Sequence, residues 1–196
     1  MIVLWVALAL LVVLVVWGIK TYNRLRQLSN RIDNAWSQID VQLKRRYDLI
    51  PNLVEVARGY MQHEASALEA VTRARNQALA ASEAVRHPVQ DGKAMAALSA
   101  AERVLGGDLG RLMMTVEAYP ELKADAQMQR LSEEITSTEN RIGFARQAYN
   151  DHVLEYNDQS SQLPDLLVAR LAGFQQMDML QSTESDVERK APEVRF

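Results

Sequence analysis

The chain has 196 residues and balances 22 basic against 25 acidic side chains for a formal net charge of −3. With no basic run longer than Lys44-Arg45-Arg46, that balance excludes a general nucleic-acid binder. The absence of cysteine excludes a disulfide framework.

Residues 2–19, IVLWVALALLVVLVVWGI, carry no charged, amide or hydroxyl side chain. As a helix this run rises about 27 Å, close to the ~30 Å hydrocarbon core of a bilayer. Trp5 and Trp17 stand near its two ends, where indole rings favour the headgroup level. A cleaved secretory signal would need a basic n-region and a small-x-small cleavage site, and the run has neither. An uncleaved anchor is therefore expected. Lys20, Arg24, Arg26 and Arg31 all precede the first acid, Asp33. The positive-inside rule then places the large C-terminal portion in the cytoplasm and the N-terminus across the membrane, in a single pass. Trp5, Trp17, Lys20, Arg24 and Arg26 are the expected membrane-interface residues. The organisation read from this is an anchor at 1–21, a cytoplasmic helical bundle at 22–174 and a polar tail at 175–196.

After the anchor the pattern is helical throughout. Apolar residues recur at Leu25, Leu28, Ile32, Ala35, Trp36 and Ile39, then at Leu43, Tyr47, Ile50, Val54, Ala57, Met61, Leu68 and Val71. Spacings of three and four make one buried stripe. No breaker separates Ile19 from Arg24, so the anchor is expected to run into the first bundle helix without a flexible linker. Pro51 interrupts the stripe within RRYDLIPNLVE (45–55). It cannot donate to the Tyr47 carbonyl, which predicts a kinked continuous helix; the alternative is a turn with Asp48 capping a new helix.

The first strong stop is HPVQDG (87–92). A second helix is expected from about Lys93 to Glu117. Its Gly106, Gly107 and Gly110 point either to a local break or to close approach of another backbone. Tyr119-Pro120 ends it. A third helix, from about Glu121 to Asp158, places Met128, Ile135, Ile142, Tyr149 and Tyr156 in one seven-residue series and Leu131, Thr138, Ala145 and His152 in another. That is bundle or coiled-coil packing. Leu163-Pro164 closes it, a short apolar segment DLLVARLAGF (165–174) follows, and no period-two stretch announces a strand. Two long helices and at least one shorter one thus predict an all-α antiparallel bundle hung from the membrane by its first helix.

RIDNAWSQIDVQLKRRYDLIPNLVEVARGYMQHE (31–64) and AYPELKADAQMQRLSEEITSTENRIGFARQAYNDHVLEYN (118–157) resemble the two signature blocks of the LemA family of bacterial membrane proteins. With the N-terminal span and the ending P.V.F (192–196), the likeness covers nearly the whole chain. It implies an N-terminal transmembrane helix and a cytoplasmic helical bundle, and it supplies no reaction. Family members carry Phe-Pro where this chain has Leu163-Pro164, and a more aromatic segment than its QQMDML (175–180).

Catalytic signals are sparse. The three histidines lie far apart, and His63-Glu64 lacks a second His at zinc spacing. Gly106-Gly107-Asp108-Leu109-Gly110 lacks the Lys-Ser/Thr of a phosphate loop, and no Glu-x-x-His pair builds a di-metal bundle. Glu133, Glu134 and Glu139, with Arg141 and Arg146 nearby, read as a solvated helix face. No enzyme activity, cofactor, metal or small-molecule substrate is expected.

Polar residues within apolar faces are the cluster that calls for a function. Trp36, Arg45, Arg46, Tyr47, Asp48 and Asn52 surround the kink, and Asn140, Arg141, Tyr149 and Asn150 lie on the third helix. They form either a buried network that fixes helix register or a surface for another protomer or partner. The expected function is a non-enzymatic, self-associating membrane scaffold in contact with lipid. The alternative is an accessory or signalling component of a membrane complex, partnered by another membrane protein or a membrane peptidase.

Overall fold

A computed structural model of the chain describes residues 1–61, 63–85 and 92–180. Among these there are six helices and no strand: α1 (Ile2–Tyr60), α2 (Ala65–Ala84), α3 (Gly92–Val116), α4 (Pro120–Ala124), α5 (Ala126–Ser161) and α6 (Asp165–Leu171). The turn residues 87–91 and the last part of the tail, 181–196, lie outside the described residues, as does the P.V.F ending.

The apolar run and the first bundle helix are one 59-residue helix. Its stripe is the core: every stripe position from Leu25 to Ala57 is buried, as are Met61, Leu68 and Val71. Against it lies α5, antiparallel and in one register. Thr21 bonds Asp165, Arg31 pairs with Glu155, Trp36 packs on Tyr149, Arg46 pairs with Glu139 and Tyr60 bonds Asp125. From Arg31 to Tyr60 the partners fall residue for residue down α5 to its N-cap Asp125 as they rise on α1, over about 44 Å of helix, and Thr21 meets the first residue of α6 beyond it. The series Met128, Ile135, Ile142, Tyr149 and Tyr156 is buried throughout. Of the interleaved series, Leu131 and Thr138 are buried but Ala145 and His152 only partly so; beyond Thr138, Val153 and Ser160 take up core positions.

α2 returns down α1, with Arg75 at Tyr47 and Ser82 at Asp40. α3 runs up again and brings Glu102 to Arg46 and Tyr47. The distal part of α1 thus belongs to an up-down-up-down four-helix bundle. Its proximal part, from Thr21, is flanked by α5, α6 and the extended segment 174–180.

Three expectations about breaks need correction. The stripe from Tyr47 to Val71 is not one helix: the chain reverses between Met61 and Ala65. The seven-residue step from Met61 to Leu68 keeps the apolar phase across the turn, which hides the reversal. The expected helix 121–158 is two, because the Asp125 carboxylate accepts the N–H groups of Gln127 and Met128, both at 2.9 Å, and caps a new start. The expected pair of long helices is therefore four. Gly106, Gly107 and Gly110 mark neither a break nor a close approach: α3 runs through them, and an added Cβ would meet nothing within 4 Å.

Pro51 lies inside α1, and the helix is continuous; Asp48 starts no new one. The carbonyl that Pro51 leaves without its intrahelical donor is that of Tyr47, and Arg75 Nε on α2 donates to it at 3.0 Å. Arg75→Met is therefore expected to cost about 1–3 kcal/mol, the cost of an unsatisfied buried acceptor. In a Pro51→Ala background the restored N–H takes that carbonyl, so the same change should cost under ~1 kcal/mol. Denaturant titrations of the four proteins check this; equal costs in both backgrounds would refute the substitution of Arg75 for the missing donor.

Candidate functional site

Glu102 occupies a core position of α3, in phase with Met95, Leu98, Leu105, Leu109, Leu112 and Val116, all buried. A carboxylate among such residues requires partners. Arg46 on α1 donates to it and, with its other terminal nitrogen, to Glu139 on α5. Tyr47 OH donates to Glu102 Oε1 at 2.6 Å, and Arg146 reaches Oε2 at 3.4 Å. The side chains of Arg46 and Glu102 are each 2% exposed, whereas that of Glu139 is half-exposed. Arg46 Nε and, one turn earlier, Gln42 Oε1 are buried without a hydrogen-bond partner among the described residues.

Burial pulls the Arg46 pKa down, but Glu102 and Glu139 outweigh it and hold the guanidinium above its ordinary value. Burial and the adjacent Glu102 charge push the Tyr47 phenol well above its ordinary range. Both shifts favour the forms that make these bonds. The set ties α1, α3 and α5 together at one level, and sliding α1 by a turn would leave Glu102 and Arg46 buried and unpaired.

A second polar device lies nearer the apolar run. Asn150 and Asn157 stand two turns apart on α5. Asn157 donates to the Met177 carbonyl at 2.8 Å and accepts the Met177 N–H at 2.9 Å. Asn150 does the same for Leu180, at 3.0 and 2.9 Å. Seven helical residues rise about 10.5 Å and three extended residues about 10 Å, so the two spacings match. Tyr156 OH adds a bond to the Gln175 carbonyl at 3.0 Å. Met177 is buried, and the Phe174 ring lies 5.6 Å from that of Tyr22 and 6.4 Å from that of Tyr156. Residues 175–180, read from sequence as the start of a polar tail, are thus a strap along the helix pair.

These devices sort the residues singled out in the sequence. Trp36, Arg46, Tyr47 and Tyr149 are buried, Arg46 and Tyr47 in the charge cluster and Trp36 and Tyr149 in the apolar core, so none offers a free partner surface. Trp36 and Tyr149 meet edge-on at 6.4 Å, and burial, with Asp33 and Asp178 nearby, pushes the Tyr149 phenol up to about 12. Asn150 holds the strap. Arg45, Asp48, Asn52, Asn140 and Arg141 are exposed, with Arg45 3.9 Å from Glu134. Lys20, Arg24 and Arg26 are also exposed, Trp5 is exposed and Trp17 half-buried. The face of Glu133, Glu134 and Glu139 is not wholly solvated, because Glu139 closes the buried cluster. Glu102 was missed in the sequence, although its place in the α3 stripe is a readable signal. Asn157 belongs with Asn150 among the polar residues of the third helix that the sequence marks, but nothing local marks its strap.

Phe144 on α5 is 74% exposed beside a shallow groove that Arg31, Asn34, Ala35 and Gln38 on α1 and Ala145, Ala148 and His152 on α5 line with it.

A family model described as the LemA family matches residues 35–196, and the chain belongs to that family. Among its relatives are magnetosome protein MamQ 1 and magnetosome protein MamQ 2 of Paramagnetospirillum magneticum. Each is 25% identical over 175 residues, which cover 82% of this chain and 64% of the relative. Magnetosome protein MamQ of Magnetospirillum gryphiswaldense is 25% identical over 157 residues, with 72% and 58% covered. The chain spans less than two thirds of the length of these relatives.

The adjacent arginines on α1 give a sharp contrast. Arg46→Ala leaves the Glu102 carboxylate buried with the Tyr47 hydrogen bond but only the longer Arg146 contact as a counter-charge, so a loss of about 3–5 kcal/mol of stability is expected. Arg45→Ala removes an exposed, loosely paired charge and should cost no more than ~0.5 kcal/mol. Chemical denaturation of both variants checks this, and similar losses would show that the cluster does not hold the bundle.

Proposed function

We propose that this LemA-family chain is a membrane-anchored, non-enzymatic helical scaffold whose copies associate side by side. In this reading α1 crosses a bacterial inner membrane with the bundle on the cytoplasmic side. The observation that carries the proposal is the single helix from Ile2 to Tyr60, whose first eighteen residues are apolar and wholly or partly exposed. It is the one helix among the described residues that is long and apolar enough to cross a membrane. A helix shared by anchor and bundle transmits the orientation set by the bilayer to the bundle faces. Copies in one membrane then present the same face at the same height, and tethering raises their local concentration, so weak contacts suffice. The Phe144 groove is the face we assign to the second copy: an exposed phenyl beside Ala35 on α1 and Ala145 and Ala148 on α5, with polar Arg31, Asn34, Gln38 and His152 lining the rest. The match to proteins named for the magnetosome supports a membrane-associated role.

Full-length protein in lipid nanodiscs and mild detergent should run well above the 22.1 kDa of one chain. Phe144→Asp should reduce that mass without loss of helicity, because the side chain is already exposed. A protease site placed after Phe196 should stay protected in intact cells. A monodisperse monomer in both media would overturn self-association and leave the groove to a different protein, as in an accessory subunit of a membrane complex. Cleavage without lysis would overturn the orientation.

A further inference from the structure

The end of the bundle nearest the apolar run carries leucines that the fold does not cover. Leu163 is 73% exposed, Leu167 55% and Leu171 90%, the last more exposed than any leucine of the apolar run itself. Leu167 and Leu171 are four apart on α6 and share a face. Leu163 lies in the turn between α5 and α6, and the height of this α6 hairpin is fixed by Thr21 Oγ1, which donates to Asp165 Oδ1 at 3.0 Å just beyond residue 19. Residues 2–16 are all exposed, whereas Trp17 and Gly18 are partly covered. The bundle therefore reaches up to the last turn of the apolar run.

Charge is arranged to match. The acid of α6 is consumed internally, since Asp165 Oδ1 accepts from Thr21 and Oδ2 from Gln159. Lys20, Arg24, Arg26 and Arg170 are exposed around the same level. An uncovered leucine face with a basic rim, standing at the mouth of a membrane span, fits the headgroup and upper acyl layer of a bilayer.

We propose that the α6 hairpin is a second, peripheral membrane contact, with Leu163, Leu167 and Leu171 entering the interfacial layer of the bilayer that α1 crosses. The proposal rests on the reading of residues 2–19 as the span and is independent of self-association and of which side the bundle occupies. Two contacts at one level hold the bundle at a fixed tilt and rotation, where a single helix alone leaves rotation free.

The chain has no cysteine, so single nitroxide labels are introduced cleanly as L163C, L167C and L171C in the full-length protein. V12C reports on the span and E133C on an exposed part of the bundle. In nanodiscs, collisions with oxygen should exceed those with a water-soluble nickel chelate at 163, 167, 171 and 12, and the reverse should hold at 133. Nickel-favoured collisions at the three hairpin sites with a lipid-like value at 12 would overturn the hairpin contact and leave the span standing. Low collision rates with both reagents at the hairpin would show that protein covers the leucines, which also overturns it. A nickel-favoured value at 12 would overturn the span and this proposal with it.

Discussion

The antiparallel pairing of α1 with α5 is the constraint on which the rest of the structure depends. It runs from Arg31 opposite Glu155 to Tyr60 opposite Asp125 without a slip in register, and Thr21 carries it on to Asp165 at the start of α6. No other pair in the fold is as long. α2 and α3 cover its distal half, and α6 and the strap its proximal half, so every other element takes its position from this seam. Because α1 also contains the apolar run, the seam connects whatever holds residues 2–19 to the far end of the bundle.

Apolar packing alone specifies such a seam poorly. Stripes of Leu, Ile and Ala at heptad spacing tolerate displacement by a whole turn, since one apolar ridge resembles the next. The buried charges remove that freedom. Arg46 finds carboxylates on two other helices, and Glu102 finds a phenol and a second arginine. Desolvation makes each of these groups costly when unpaired, so the cluster acts against wrong registers more than it adds to the right one. The Tyr47 carbonyl, freed by Pro51 and taken by Arg75, does for α1 and α2 what the cluster does for α1, α3 and α5.

The asparagines of α5 work in the opposite sense. Asn150 and Asn157 bind backbone, not side chains, so they hold an extended strap whatever its sequence, provided that its pitch matches theirs. Side-chain selection is left to Phe174 and Met177, which fill the space against Tyr22, Tyr156 and the core. This explains how the segment QQMDML docks although its composition reads as a polar tail.

The sequence alone determined the fold class, the apolar run, the α1 stripe and the first seam series of α5, because helical periodicity is a local property written in the spacing of apolar side chains. It also carried the family, through long runs around Asn34–Glu55 and Thr138–Asn157. The positions of Pro51 and Arg46 were legible, but their partners were not: a missing donor or a buried charge is satisfied by whatever residue the fold brings near, and Arg75 and Glu102 arrive from 28 and 56 residues away. Reversal at Met61 was hidden for a related reason, since a turn that preserves apolar phase leaves no trace in periodicity. Which polar residues are buried, which leucines stay bare beside the apolar run, and where the strap lies were decided only when the helices packed, because burial belongs to the surface between elements and not to any one of them.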